Sequence, residues 1–120
     1  MDAITVLVIE DEPLIGMDLQ ESLEERGLVV GLCRTEAEAF ARLAEASPAV
    51  AVLDVHIAGR TTRLLAEALA ARGVPFVVIT GDPSDALAEP FRSAPYVAKP
   101  FDGDALARLV VGLAARGENE

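Results

Sequence analysis

The sequence is poor in cysteine and in positive charge, and each shortage excludes a class of protein. The single cysteine, Cys33, has no partner in the chain, which excludes a disulfide framework and a cysteine-based zinc site and favours a reducing compartment. With 10 Lys and Arg against 20 Asp and Glu, the formal net charge of −10 would repel the phosphate backbone of nucleic acid. Direct nucleic-acid binding is therefore not expected.

The sequence also lacks the pattern of an export signal or a membrane span. The first five residues carry no positive charge, and the apolar run after them is broken by Glu10, Asp11 and Glu12, well short of a membrane span. Neither export nor membrane insertion is expected, and a cytoplasmic location is the expectation that follows. At 120 residues with 52% apolar residues, the chain is predicted to form one domain with one core, covering residues 1–120.

Short apolar runs alternate with stretches of helical period along the chain. These runs are bounded by charge, Gly or Pro and are mostly rich in Val and Ile, which is typical of buried parallel strands. Five strands are predicted, at residues 4–9, 28–32, 50–53, 76–79 and 96–98. The strict alternation of strands and helices predicts an α/β fold of the flavodoxin-like, doubly wound kind. Its five-stranded parallel sheet, in the order 2-1-3-4-5, would carry helices on both faces.

Three of the helices are predicted from apolar residues that recur on one helical face. These stripes are Ile15, Leu19 and Leu23 in the first helix, Ala37, Phe40, Ala41 and Ala44 in the second, and Leu106, Leu109, Val110 and Leu113 in the last. Thr35 and Glu38 have the spacing of a capping box at the start of the second helix. Gly27 and Gly73 stand where the first and third helices should end, the third covering residues 64–71.

The fourth helix is predicted to be short. Residues 84–92 contain Pro90 and are flanked by Pro83 and Pro95. Prolines remove amide donors and constrain the chain, so that about two helical turns are the most this stretch can hold. A shortened fourth helix is therefore part of the predicted fold.

Acidic residues directly follow two strands that such a sheet places side by side. Glu10, Asp11 and Glu12 come after the first strand and Asp54 after the third, which brings them together at the switch point of the sheet. Ionised carboxylates packed this closely raise one another's pKa unless a cation intervenes, and a hard divalent ion with oxygen ligands is the natural solution. A single acid after a strand more often only solvates a loop, so the prediction depends on the combination.

A hydroxyl and an ammonium join the same edge of the sheet. Thr80 follows the fourth strand and Lys99 the fifth. A carboxylate can attack phosphorus, a metal ion and an ammonium can neutralise charge on the phosphoryl oxygens, and a hydroxyl can hydrogen-bond the transferred group. Together these groups predict a phosphoryl site, although alone Lys99 would be read as a surface lysine and Thr80 as a turn residue.

This arrangement resembles, over the whole chain, the response-regulator receiver domains of two-component signalling. The resemblance implies that Asp54 is the phosphoacceptor and that a sensor histidine kinase or a histidine phosphotransfer protein donates the phosphoryl group. It also implies a magnesium site in which Asp11 is a direct ligand, Glu10 acts through water, and the backbone carbonyl of His56 completes the metal shell. Signalling would then follow from a conformational change.

The same resemblance assigns the reading of the phosphoryl group to Thr80 as the switch hydroxyl and Lys99 as the phosphate partner. Tyr96 occupies the position of the family's aromatic switch, and the alternative is a tyrosine at a strand edge with its hydroxyl in water. The Lys99-Pro100 bond is similar to one that is often cis in the family. The imidazole of His56 is expected to tune dephosphorylation from its loop, because no second histidine exists to share a chemical role.

Two features depart from the common receiver pattern. The loop after Asp54 reads Val-His-Ile-Ala-Gly without the usual proline, and Thr80 and Lys99 are only 19 positions apart. With residues 78–81, Val-Ile-Thr-Gly, these features resemble an alphaproteobacterial subclass of single-domain receivers named after a Phe-Ala-Thr-Gly-containing motif. The resemblance to that subclass implies a reduced fourth helix and, often, histidine kinases of atypical type.

Other classes of protein use similar residues. A haloacid-dehalogenase-like phosphatase needs an Asp-x-Asp pair after the first strand and a Toprim-like enzyme needs one after a later strand, and residues 10–12 and 54–56 supply neither. A flavin-binding module needs a Gly- or Ser/Thr-rich phosphate loop, which is also missing. Within the receiver class, an adaptor or docking domain, a phosphate sink and a phosphorylation-dependent homodimer stay open.

Overall fold

The computed structural model describes residues 4–118, with side chains described to residue 116. Residues 1–3, on which the expectation about export partly depends, lie outside this range. The strands are β1 (Thr5–Ile9), β2 (Val29–Cys33), β3 (Val50–Asp54), β4 (His56–Ile57), β5 (Arg60–Thr61), β6 (Phe76–Thr80) and β7 (Tyr96–Ala98). Five of them form a parallel sheet in the order β2-β1-β3-β6-β7, which is the predicted 2-1-3-4-5 order because β4 and β5 form a separate hairpin.

Four helices cover this sheet: α1 (Pro13–Glu24), α2 (Glu36–Glu45), α3 (Arg63–Ala71) and α4 (Gly103–Glu118). Neighbouring residues of a strand point to opposite faces, and the strand β3 is buried throughout because both faces are covered. Leu53 packs in the core cluster with α2 and α3, whereas Val52 packs in the cluster with α1 and α4. The predicted flavodoxin-like fold is confirmed. No helix within residues 4–118 is both long enough and apolar enough to cross a membrane.

The predicted buried face of the second helix is wrong. Ala39 and Leu43 are the buried residues of α2. The predicted stripe of Ala37, Phe40, Ala41 and Ala44 is exposed. An alanine-rich helix has apolar residues on every side, and the sheet takes the side that carries Leu43, its one leucine. One of the two hydrogen bonds of the predicted capping box is confirmed: the Thr35 hydroxyl accepts the N–H of Glu38 at 3.1 Å. The second differs, because the Glu38 carboxylate accepts the N–H of Arg34 and not that of Thr35.

The connection between β6 and β7, residues 81–95, contains no α-helix. We call it the β6–β7 segment. It forms two 3₁₀ turns, at Pro83–Leu87 and Phe91–Ser93. Phe91 is its one fully buried residue and packs in the core cluster with α2 and α3. The prediction of a shortened fourth helix is therefore confirmed, and most of this segment lies on the surface.

Candidate functional site

The strand register brings the predicted site residues to one edge of the sheet. Ile9 pairs with Leu53, so Glu10, one residue beyond β1, lies beside Asp54 at the last position of β3. At the other side of β3, Thr80 ends β6 and pairs with the last residue of β7, which is followed by Lys99. The ends of β3 and β6 and the residues that follow β1 and β7 thus meet at the carboxyl edge, as the strand order predicts.

Asp54 is held by partners on both of its carboxylate oxygens. It is 5% exposed. Its Oδ1 accepts the backbone N–H of His56 at 3.1 Å, and its Oδ2 accepts Nζ of Lys99 at 2.5 Å. Its backbone carbonyl accepts the buried hydroxyl of Thr62 at 2.8 Å, which fixes the end of β3 against the start of α3. No sequence motif singles out Thr62, and the sequence analysis missed it.

Lys99 is the cation of this edge and contacts three acids. Besides Asp54, its Nζ lies 3.1 Å from Oε1 of Glu10 and 3.8 Å from Oε1 of Glu12. Burial lowers the pKa of Lys99, but the contacts with Asp54 and Glu10 outweigh burial, so the net pKa is raised. Lys99 therefore keeps its charge where a phosphoryl group would need it.

Glu10 is a buried carboxylate, and only one of its two oxygens accepts a hydrogen bond from the described residues. It is 1% exposed, and burial raises its pKa from 4.5 to about 7, although the N–H of Glu12, 3.1 Å from Oε2, lowers it in part. Its other oxygen, Oε1, has an ion-pair contact with Lys99 but no directed hydrogen bond from any described residue. A buried oxygen without a directed donor fits a site that is completed by a cation.

The acids of this edge can share one metal ion. Carboxylate oxygens of Glu10, Asp11 and Asp54 all lie within 4.8 Å of one another. Three carboxylates at this spacing match the oxygen ligands of Mg²⁺, and their mutual repulsion is reduced when a divalent cation lies between them. The residues predicted from the sequence as the carboxylate ligands are therefore brought together by the fold. We call Glu10, Asp11, Asp54 and Lys99 the carboxylate pocket.

The loop after Asp54 folds as a β-hairpin that the sequence analysis did not predict. Strands β4 and β5 flank a two-residue turn in which Ala58 and Gly59 both have positive φ, +54° and +78°. The N–H of Ala58 donates to Oδ2 of Asp11 at 3.0 Å, so the pocket itself holds the turn in place. In a hairpin with a two-residue turn, the pair nearest the turn, Ile57 and Arg60, exchanges the ladder bonds, which leaves the carbonyl of His56 outside the ladder.

The Thr80 hydroxyl does not contact Asp54. Thr80 is 2% exposed, and its Oγ1 donates to Oδ2 of Asp85 at 2.8 Å. The same Asp85 oxygen lies 2.9 Å from Nε2 of His56. Thr80 lies at this edge as predicted from the sequence. Asp85 was not predicted, because its only signal is an acid in the first turn after Pro83.

Tyr96 lies on the α2 and α3 side of the sheet, because it pairs with Val78, which packs in that core cluster. Its hydroxyl is buried and has no hydrogen-bond partner among the residues that the structure describes. The alternative of a tyrosine with its hydroxyl in water is therefore wrong. The Lys99-Pro100 peptide bond is cis, as the resemblance implied.

Comparison with known proteins agrees with this geometry. The family described as response regulator receiver domain matches residues 6–111. The chain is 38% identical over 104 residues to the phyllosphere-induced regulator PhyR of Methylorubrum extorquens, a match that covers 82% of the chain and 39% of that relative. The chain thus spans well under half of the length of PhyR.

Two solved structures with related sequences are similar over almost the entire chain. The solution structure of SdrG from Sphingomonas melonis has 37% identity and a TM-score of 0.80, covering 96% of this chain and 99% of SdrG. A variant of the anti-anti-sigma factor PhyR from Bartonella quintana has 31% identity and a TM-score of 0.82, covering 99% of this chain and 51% of that one. Like the alphaproteobacterial proteins that it resembles, the chain belongs to the family of response regulator receiver domains.

Proposed function

We propose that this receiver is switched by phosphorylation of Asp54, in a Mg²⁺-dependent reaction with a sensor histidine kinase or a histidine phosphotransfer protein. One observation carries the proposal. Asp54 is a buried carboxylate with an ammonium, Lys99, on one oxygen and with two further acids, Glu10 and Asp11, close enough to share a cation with it.

The chemistry assigned to Asp54 is nucleophilic. One of its carboxylate oxygens bonds to the phosphorus of a phosphohistidine while the P–N bond breaks and its electron pair returns to the donor imidazole. The product is an acyl phosphate on Asp54. The N–H of His56 and Nζ of Lys99, which hold the two carboxylate oxygens in the resting chain, orient the carboxylate for this attack. Lys99 then binds the phosphoryl oxygens, and its raised pKa keeps it charged for that purpose.

The metal ligands in this proposal are Asp11 and Asp54 directly, Glu10 through water, and the backbone carbonyl of His56. When it is bound, Mg²⁺ (or Mn²⁺) supplies positive charge that offsets the charge of the carboxylates and of the phosphoryl oxygens. The buried Glu10 favours this use, because a cation stabilises the ionised form that burial disfavours. The chain acts as a phosphoacceptor and signalling domain, and turnover is limited to its own phosphorylation and dephosphorylation.

The output is a conformational change that a protein partner reads. Thr80 and Tyr96 are the switch residues in this proposal, because both border the β6–β7 segment and neither attacks phosphorus. An adaptor or a phosphate sink is the alternative output, and a phosphorylation-dependent homodimer is one form that the switched state can take. None of these outputs changes the chemistry assigned to Asp54.

The test is labelling by a small phosphodonor such as acetyl phosphate, followed by intact-mass measurement. We expect one base-labile, acid-stable phosphoryl group per chain in Mg²⁺, none after chelation of the metal, and none on Asp54→Asn. Asp18→Asn, which removes an exposed acid from α1, is the matched control and should be labelled like the parent. Labelling of Asp54→Asn at the parent rate would contradict the assignment. Hydrolysis of the donor faster than the chain loses its own phosphoryl label would instead indicate a phosphatase.

A further inference from the structure

One side chain of the β6–β7 segment connects three parts of the site. Asp85, in the first 3₁₀ turn, accepts the hydroxyl of Thr80 at 2.8 Å and lies 2.9 Å from Nε2 of His56. Thr80 belongs to β6, and His56 belongs to the hairpin that follows Asp54. The Asp85 side chain is 18% exposed, so these contacts are shielded from water more than those of a typical surface acid.

The contact with Asp85 uses the only proton that the Thr80 hydroxyl can donate. A hydroxyl has one O–H donor, and its lone pairs only accept. In this chain the hydroxyl also accepts the N–H of Asp82 at 3.2 Å. The carbonyl of Asp82 is a second acceptor at 3.5 Å, but the carboxylate of Asp85 at 2.8 Å is nearer and charged, so the proton goes to Asp85. A phosphoryl group on Asp54 presents oxygens that only accept hydrogen bonds, so Thr80 cannot donate to Asp85 and to the phosphoryl group at once.

We propose that Asp85 is a positioning residue that holds Thr80 in the resting state, so that the phosphoryl group on Asp54 must displace Asp85 to recruit the Thr80 hydroxyl. The proposal rests on the function proposed above for Asp54 and Thr80, and it adds a regulatory residue to that site. Asp85 sets how much of the receiver is in the resting state before phosphorylation, because its bond is present in that state and absent from the switched one.

Displacement of Asp85 has a consequence beyond Thr80. The phosphoryl group adds negative charge next to the site, and that charge repels the Asp85 carboxylate. Asp85 then leaves His56 as well, which separates the first 3₁₀ turn, Pro83–Leu87, from the hairpin after Asp54. The turn carries Leu87, which is 70% exposed, and once it has left the hairpin the turn repacks in the switched state and places Leu87 in a new arrangement.

The experiment is a titration with beryllofluoride in Mg²⁺, followed by amide NMR, on the full chain and its variants. We expect Asp85→Ala to bind beryllofluoride about tenfold more tightly than the parent, because a hydrogen bond to a charged group opposes the switched state in the parent only. Asp85→Asn keeps an acceptor oxygen without the charge and should tighten binding by about threefold. Glu89→Ala removes the same charge from the same segment without touching Thr80 or His56, and should leave the affinity within about twofold.

A double-mutant comparison separates positioning from a general loosening of the turn or a general loss of charge. Both of those effects would persist when Thr80 is replaced by alanine. If Asp85 acts through the Thr80 hydroxyl, Asp85→Ala gives no further tightening in a Thr80→Ala background. Equal tightening in both backgrounds, or no tightening in the parent background, would overturn the role of Asp85.

The two proposals fail in different ways. If the parent chain does not bind beryllofluoride at Asp54, the phosphoacceptor function fails and the role of Asp85 fails with it. If the parent binds and Asp85→Ala binds equally well or more weakly, only the role of Asp85 is overturned. If Asp85→Ala does not fold, Asp85→Asn is compared with the parent and in the Thr80→Ala background, and the same outcomes test the role of Asp85.

Discussion

The carboxylate pocket and the β6–β7 segment lie next to each other but are built differently. The pocket stands on the ends of β1 and β3, strands whose faces are both buried. Lys99 contacts Asp54 and Glu10, and Asp11 accepts the N–H of Ala58 in the hairpin. The segment contains two 3₁₀ turns, three prolines from Pro83 to Pro95 and one fully buried side chain. The difference indicates that the pocket is held rigidly by the sheet. The conformational change uses the β6–β7 segment, which can rearrange at a low cost in free energy.

Thr80 stands at the border of these two regions. Its backbone belongs to the buried strand β6, whereas its hydroxyl bonds to the segment through Asp85. A movement of the hydroxyl toward Asp54 therefore breaks its bond to Asp85 and lets the segment repack, and Tyr96 borders the same segment from β7. The predictions below test whether the two regions differ as much as their construction implies.

The largest expected difference is in stability. Leu53→Ala removes a fully buried side chain of β3 and should lower the free energy of unfolding by about 2–5 kcal/mol, as large-to-small core substitutions do. Leu87→Ala removes an exposed side chain of the segment and should change it by less than about 0.5 kcal/mol. Urea denaturation of the parent and of both variants measures the two changes in the free energy of unfolding. Similar losses from the two substitutions would mean that the segment is packed as firmly as the sheet.

The pocket should give the stability of the chain a pH dependence through Glu10. The folded-state pKa of Glu10 is raised from 4.5 to about 7, so the stabilising contribution of the protonated form is present below pH 4.5 and is lost as the pH rises through 7. A shift of this size corresponds to about 3 kcal/mol. In metal-free buffer we expect the parent to lose about that much between these pH values relative to Glu10→Gln.

Urea denaturation at several pH values, with and without Mg²⁺, measures the effect. Mg²⁺ should reduce the loss, because a bound cation stabilises the ionised carboxylate. Glu21→Gln removes an exposed acid of α1 and should keep the parent's pH dependence. The same pH dependence in the parent and in Glu10→Gln would show that Glu10 is not the group responsible.

The sequence predicted the pocket better than it predicted the connections around it. Glu10, Asp11 and Asp54 could be placed because the carboxyl ends of adjacent parallel strands share one edge, so that strand order alone brings them together. The hairpin after Asp54 depends on a turn in which Ala58 has positive φ, a conformation that alanine rarely adopts and that no pattern signals.

The features that were not predicted have two physical causes. The prediction for the buried face of α2 was wrong because alanines are found on all sides of that helix, which weakens the apolar periodicity. Thr62 and Asp85 were missed because each reaches the site through side-chain contacts made from segments with irregular backbone. Contacts of that kind depend on where a loop passes in space, which spacing along the chain does not encode.

A smaller effect should separate phosphorylation from its readout. Lys99→Ala and Thr80→Ala should still be labelled at Asp54, because neither group attacks phosphorus. Both variants should lose the coupling between phosphorylation and the conformation of distant residues, a coupling free energy of about 1–3 kcal/mol. Amide NMR shifts on adding beryllofluoride measure the coupling. If either variant responds over the same distant residues as the parent, the switch role of that residue is wrong.

The most direct test of the account compares the two regions in one hydrogen-exchange experiment, with and without beryllofluoride in Mg²⁺. Without it, residues 82–94 should be the least protected stretch among the described residues, since their short turns lack the packing that holds β1 and β3. With it, protection of residues 82–94 should rise, while that of β1 and β3 stays unchanged. High and equal protection of residues 82–94 in both states would contradict the claim that phosphorylation of Asp54 is read through the β6–β7 segment.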